Sequence, residues 1–154
     1  MTMPQPGDTA PALAGPTDEG SFSLADQAGK PVVVYFYPKD LTPGCTTEAC
    51  GFRDAQADLR AAGAVVVGVS KDPPKRHAKF RDKHQLNFPL VSDEDGSICD
   101  SWGVWQLKKF MGREYMGIVR ATFLVAADGR VHRVWPKVKV KGHVEEVLAA
   151  LQTL

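Results

Sequence analysis

The stretch Val32-Val33-Val34-Tyr35-Phe36-Tyr37-Pro38-Lys39-Asp40-Leu41-Thr42-Pro43-Gly44-Cys45-Thr46-Thr47-Glu48-Ala49-Cys50 decides how the chain folds. Its first six residues are β-branched or aromatic and show no polar alternation, which predicts a strand covered on both faces, as in a parallel sheet. Thr42 suits a helix N-cap and Pro43 the first helical position, so a helix is expected from there to about Ala62. Cys45 then falls in the first turn. At about 100° per residue, Cys45, Ala49, Phe52, Ala55 and Leu59 form one stripe. Cys45 should therefore face the body of the protein, and Cys50 should face away from it or toward a neighbouring loop. Two cysteines thus stand at a strand-to-helix junction, where backbone N–H groups lack partners and the helix dipole favours negative charge. A thiol there tends toward thiolate, the reactive form, so the stretch reads as a redox site.

Working outward, residues 64–70 form a second strand of the buried type, and strand, helix, strand in this order predicts a right-handed parallel unit. A helix is expected to start at Asp72-Pro73-Pro74 and run to about His84. Residues 89–92 read as a short strand, and Asp95-Gly96 as a turn before a brief helix holding Cys99 and Trp102. Residues 103–117 carry no clear period and read as a long excursion. Residues 121–125 and 131–135 are strands joined by Asp128-Gly129, a hairpin signal. Val144, Val147, Leu148, Leu151 and Leu154 recur at helical spacing and predict a closing amphipathic helix. Toward the start, residues 1–15 read as irregular chain. Asp18-Glu19-Gly20 reads as a turn between two short strands, and residues 23–26 as one helical turn. The expectation is an α/β protein: a central mixed sheet with helices on both faces, in one domain over residues 1–154.

The totals narrow the class. The chain has 154 residues and a net charge of +1, so no global field points to nucleic acid or an anionic membrane. It shows no basic-then-apolar leader and no apolar run of membrane-spanning length, and a cytoplasmic location is expected. Three cysteines, Cys45, Cys50 and Cys99, are too few and odd in number for a disulfide framework. Cys99 reads as a small buried filler. His77 and His84, among Lys75, Arg76, Lys79, Arg81 and Lys83, read as a solvated basic face rather than a metal site. Lys137, Lys139 and Lys141 alternate with apolar residues as one face of an extended segment. Trp102, Trp105 and Phe110 read as core or pocket wall. Cys45 and Cys50 lack further ligands at metal spacing, and neither a metal nor a cofactor is expected.

The residues at the junction suit attack on a hydroperoxide, which needs an ionised thiol, an in-line O–O bond and stabilisation of the departing oxygen. Cys45 is the nucleophile in this reading. The Thr42 hydroxyl can donate to the thiolate or orient the peroxide, and Pro38, which has no N–H, can shield the site from water. Arg120 stands just before a core strand, where its charge is costly unless paired, and is the candidate second stabilising group. Glu48 has two readings, a partner for Arg120 or another cation, and a first-turn carboxylate favoured by the dipole. Attack leaves a sulfenic acid that a nearby thiol can capture, and Cys50 is the candidate. Five helical residues separate the two Cα atoms by roughly 8.7 Å, from about 1.5 Å rise and about 2.3 Å radius. A disulfide needs less than about 7 Å, so the first turns must unwind for the bond to form.

Pro38-x-x-x-Thr42-x-x-Cys45 resembles the active-site motif of the peroxiredoxins. Residues 35–39 and 42–50 are similar to the bacterioferritin comigratory protein, or peroxiredoxin Q, subfamily. The resemblance continues through Asp93-Glu94-Asp95, Gly103-Val104-Trp105, Phe110-Met111-Gly112 and Arg120-Ala121-Thr122-Phe123-Leu124. It implies a thioredoxin-like fold, reduction of hydrogen peroxide and organic hydroperoxides, and recycling by thioredoxin or a glutaredoxin-like dithiol protein. It implies Cys45 as the peroxidatic cysteine and Cys50 as the resolving one, with Pro38, Thr42 and Arg120 completing the pocket. Some members carry the resolver in the next helix, near the position of Arg81, where this chain has no cysteine. The subfamily is often monomeric, and a monomer is expected. Two other classes compete: a general disulfide oxidoreductase, disfavoured by the C-x4-C spacing, and a non-catalytic holdase-type binding protein.

Overall fold

In the computed structural model, which describes residues 2–154, the 32–37 run is the middle of the molecule. Its strand β3, Val32–Phe36, is buried at every residue. Period-two alternation sends its side chains to opposite faces: Val33, Tyr35 and Tyr37 enter one core cluster, and Val32, Val34 and Phe36 enter another. Before it come β1, Ala14–Thr17, and β2, Gly20–Ser23, an antiparallel pair, then a 3-10 turn at Ala25–Gln27. After it come α1, Pro43–Asp54, α2, Gln56–Ala61, and β4, Val65–Ser70. The chain continues through α3, Pro74–His84, β5, Leu90–Ser92, and α4, Ser97–Ser101. Then follow β6, Trp105–Phe110, β7, Arg113–Ile118, β8, Ala121–Val125, β9, Val131–Trp135, and α5, His143–Leu151.

Seven strands form one mixed sheet in the order β2-β1-β5-β4-β3-β8-β9. β3 pairs in parallel with β4 and antiparallel with β8, and β4 pairs in parallel with β5. Side chains from α1, α2, α3 and α5 cover one face, with Phe52, Leu59, Phe80, Val147 and Leu151 in that core. The other face is covered by α4 and residues from the N-terminal segment, through Leu13, Ile98, Cys99, Trp102 and Val104. The thioredoxin-like α/β architecture expected from the sequence is the one observed.

One close approach sets the spacing on the first face. The Tyr35 ring stacks on Tyr37 and Phe52 and lies over Gly68 of β4. A Cβ on Gly68 would stand 2.9 Å from Tyr35 Cζ and 3.0 Å from Leu90 Cδ2. The missing side chain is the space the ring occupies.

Several expectations are corrected. The helix expected to about Ala62 bends at Ala55, whose ψ is 3°, although Ala55 N still donates to Gly51 O and Leu59 N to Ala55 O across the bend. Residues 103–117 are not an excursion without structure. Most of them form the β6–β7 ribbon, turned at Met111-Gly112 with φ 51° and 77°, a two-residue turn with both central residues left-handed. No alternation was legible because most of the ribbon lies in solvent. Phe110, read as core or pocket wall, is 64% exposed on it, beside exposed Leu107, Met111, Tyr115 and Met116. Trp102 is core, and Trp105 is half-buried under Lys71 Nζ, 4.3 Å from the ring centroid. Leu154 lies beyond α5 and is exposed. His77 is fully buried rather than solvated, with its Nδ1 against the Asp40 carboxyl. No helix among the described residues is long and apolar enough to cross a membrane.

Gly68→Ala should destabilise the fold by about 1–3 kcal/mol through overpacking against Tyr35 and Leu90, read as a lower midpoint in chemical denaturation.

Candidate active site

The chain leaves β3 with Tyr37 N donating to Val69 O, passes through residues 38–42, and enters α1 at Pro43. Thr42 occupies the N-cap position with extended backbone, φ −93° and ψ 153°, and its carbonyl accepts the first helical bond from Thr46 N at 2.8 Å. Its hydroxyl does not cap. It donates to Lys39 O, three positions back, at 2.8 Å. That leaves the oxygen's lone pairs as the acceptor it can offer a ligand. Pro38 is half-buried just past the end of β3.

Cys45 lies in the first turn of α1 and is 1% exposed, with Ala49, Phe52, Ala55 and Leu59 on the same buried stripe. Cys50, off that stripe, is half-buried. Cys99 is buried in the cluster on the opposite face of the sheet from Cys45. Burial pushes its thiol well above the ordinary range, with the Asp93 carboxylate adding to the effect. All three thiols are free.

Arg120 reaches the junction because β8 runs antiparallel to β3. Phe36 pairs with Ala121, so the residue before β8 stands beside the loop that follows β3. Its guanidinium makes two contacts: Nη2 donates to Cys45 Sγ at 3.3 Å, and Nη1 to Glu48 Oε1 at 2.6 Å. Gly44 makes room for it, since a Cβ there would sit 3.2 Å from Nη2. Glu48, one turn after Cys45, is 1% exposed. Its Oε2 has no partner among the described residues. Burial pushes its carboxyl up from 4.5 to about 7, outweighing Arg120, which pulls it down. The partner role left open in the sequence is therefore the one Glu48 has.

A second cation stands close by. Lys108 on the ribbon donates Nζ to Ile118 O at 2.9 Å. Burial and then the Arg120 charge lower its proton affinity, while Cys45 raises it. Nothing in the aperiodic 103–117 segment marked this lysine. Among the described residues, no cluster of three His, Cys, Asp or Glu side chains could hold a metal. An apolar cleft of about 320 Å³ lined by Leu13, Leu24, Val32 and Val125 lies at the far ends of β3 and β8 and contains none of the thiols. The site is thus a buried first-turn thiol, a guanidinium bonded to its sulfur, and a carboxylate holding that guanidinium. This is a set that can stabilise an anionic sulfur and a departing oxygen anion.

Residues 6–134 match the AhpC/TSA family. The chain is 48% identical over 149 residues to peroxiredoxin Bcp of Bacillus subtilis, covering 96% of this chain and 95% of that one. It is similar to the solved bacterioferritin comigratory protein of Xanthomonas campestris, described for its alkyl peroxide reduction activity, at 41% identity and TM-score 0.85, covering 98% and 96% of the two chains. It is also similar to a solved cysteine-to-serine mutant of Xylella fastidiosa PrxQ, at 36% identity and TM-score 0.90 over 99% and 98%.

The Glu48 carboxyl gives a pH signature. Its folded value lies above its unfolded one, so its contribution to stability is fully present below pH 4.5 and is lost as pH rises through about 7. Glu48→Gln has no such titration. Denaturation of both proteins between pH 4.5 and 8 should show the variant gaining on the wild type with rising pH, by up to about 3 kcal/mol. A constant difference across that range would contradict this assignment.

Proposed function

The chain belongs to the AhpC/TSA family and, within the peroxiredoxins, to the Bcp or peroxiredoxin Q group, and from that premise we propose how its residues carry the reaction. The protein is a thiol-dependent peroxidase that reduces peroxides. Cys45 is the peroxidatic nucleophile, and the observation that carries this reading is the Arg120 guanidinium bonded to a buried first-turn sulfur. The Cys45 thiolate attacks one oxygen of the hydroperoxide. An S–O bond forms, the O–O bond breaks, and sulfur is oxidised to sulfenic acid while the other oxygen leaves as alkoxide or hydroxide and takes up a proton. Arg120 stabilises the sulfur before attack and the leaving oxygen during it. Thr42, whose own proton is committed to Lys39 O, accepts a hydrogen bond from the peroxide O–H, and Pro38 shields the pocket from water.

Cys50 resolves the sulfenic acid in this reading: its sulfur displaces the hydroxyl, and water leaves as the disulfide forms. Cys99 is an unsuitable resolver, because the sheet lies between it and Cys45. The geometry of the reduced state adds the condition already drawn from the sequence. Both thiols sit in the intact α1 helix, so its first turns unwind when the bond forms. Gly44, Thr46, Thr47 and Gly51 make that helix intrinsically weak. Thioredoxin or a glutaredoxin-like dithiol then reduces the disulfide. The working form in this reading is a cytoplasmic monomer with one domain over residues 1–154.

Cys45→Ser should abolish peroxide turnover. Cys50→Ser should still undergo one oxidation, seen as a sulfenic acid by mass spectrometry, but lose thioredoxin-linked recycling. Arg120→Met should slow Cys45 oxidation by about 100-fold. Full thioredoxin-driven activity in Cys45→Ser would overturn the assignment.

A further inference from the structure

The loop that leads into α1 is built around a residue in an unfavourable conformation. Leu41 has φ 65°, the left-handed region that bulky side chains rarely adopt and that persists only where the surroundings over-determine it. The residue before it supplies that constraint. All four polar groups of Asp40 are engaged: Oδ1 accepts from Tyr37 Oη at 2.5 Å, Oδ2 bonds His77 Nδ1 at 2.5 Å, the backbone N donates to Asp72 Oδ2 at 2.8 Å, and the carbonyl accepts from Arg76 Nη2 at 3.1 Å. Asp72 is itself held by Ser70 Oγ at 2.8 Å. Asp40 and His77 are both completely buried.

The other ring nitrogen of His77, Nε2, lies 3.1 Å from Val91 O. A carbonyl only accepts, so Nε2 carries a hydrogen. Nδ1 faces Asp40 Oδ2, and the pair shares one proton there whichever atom holds it. His77 thus ties the loop to α3 and to β5 at once. None of these groups touches the Cys45 sulfur or its Arg120 partner in the proposed reaction.

We propose that the buried Asp40–His77 pair is a positioning device for the peroxide site: it holds Leu41 left-handed and so sets where the Thr42 hydroxyl and the Cys45 sulfur stand against Arg120. Thr42 follows Leu41 directly, and its carbonyl accepts the helix bond from Thr46. Relaxation of the Leu41 φ would rotate the first turn and move the sulfur away from Arg120 Nη2, whose place is set by the pairing of β8 with β3. Stability alone does not account for the pair, because a buried polar pair is often no more stabilising than an apolar filling of the same space. What it adds is a unique geometry. The pair also lies outside the helix that unwinds, so α1 reforms from a fixed starting point after reduction.

The inference rests on the reading of Cys45 as the peroxide-reacting thiol. The test is stopped-flow oxidation of Cys45 by hydrogen peroxide in two variants, with thermal midpoints alongside. In His77→Asn the side-chain amide replaces Nδ1 and keeps the bond to Asp40. In His77→Gln it replaces Nε2 and keeps only the bond to Val91 O. His77→Asn should stay within about threefold of the wild-type rate, while His77→Gln falls by about tenfold or more, as small misplacements of reacting groups do. Adding Leu41→Gly to His77→Gln should recover most of the rate without recovering the thermal midpoint, since glycine enters the left-handed region freely. Tyr37→Phe removes one bond to Asp40 with little change in packing, and gives the same comparison should His77→Gln not fold. Its smaller loss should also be recovered by Leu41→Gly. Equal rates in the Asn and Gln variants, no loss in Tyr37→Phe, or no recovery with Leu41→Gly would each overturn the proposal. A wild-type Cys45 inert to peroxide would instead overturn the peroxidase reading itself.

Discussion

A guanidinium shared between a carboxylate and a thiol is the interaction on which the site depends. Arg120 meets Glu48 on one side and Cys45 on the other. The carboxylate is buried deeply enough that its own charge is costly, and its second oxygen has no partner among the described residues. The thiol is neutral until it ionises. Each group therefore depends on the others, and the arrangement is most favourable when sulfur carries negative charge. The backbone contribution is one register: β8 antiparallel to β3, with Phe36 opposite Ala121.

The same few residues face two opposed demands. Attack on a peroxide needs a sulfur held to within a fraction of an ångström, whereas the proposed Cys45–Cys50 bond needs the helix carrying that sulfur to come apart. The structure separates these demands along the chain. Upstream of Thr42, the bonds to Asp40 and the buried stack of Tyr35 on Tyr37 hold the loop. Downstream, α1 contains two Gly and two Thr within nine residues of its start, and it packs on the core through Ala49 and Phe52. A rigid entry followed by a weak helix is the arrangement that the proposed pair of steps requires of one segment.

Much of this was legible in residue order, and the failures have physical reasons. The stripe through Cys45, Ala49, Phe52 and Leu59 separated the two cysteines, because a helix packed on a sheet exposes its sides in a fixed rotation. The β6–β7 ribbon was missed because it is largely exposed, so nothing forced its side chains to alternate. His77 was misread because the residues around it on α3 are basic and its reason for burial, Asp40, lies 37 positions away. Lys108 was missed for the same kind of reason: the charges that act on it, Arg120 and Cys45, are brought near it by the fold.

By itself, the sequence determined what depends on neighbours along the chain: the buried central strand, the helix start at Pro43, the first-turn placement of Cys45, and the motif that marks the family. These follow from backbone periodicity and capping, which act over a few residues. Tertiary structure alone decided which charges meet. The choice of Glu48 as partner to Arg120, the shared bond to the sulfur, the burial of His77 against Asp40 and the left-handed Leu41 each need segments brought together by strand register. Electrostatic and hydrogen-bond energies depend on distance in space and on exclusion from water, and neither is written in local sequence.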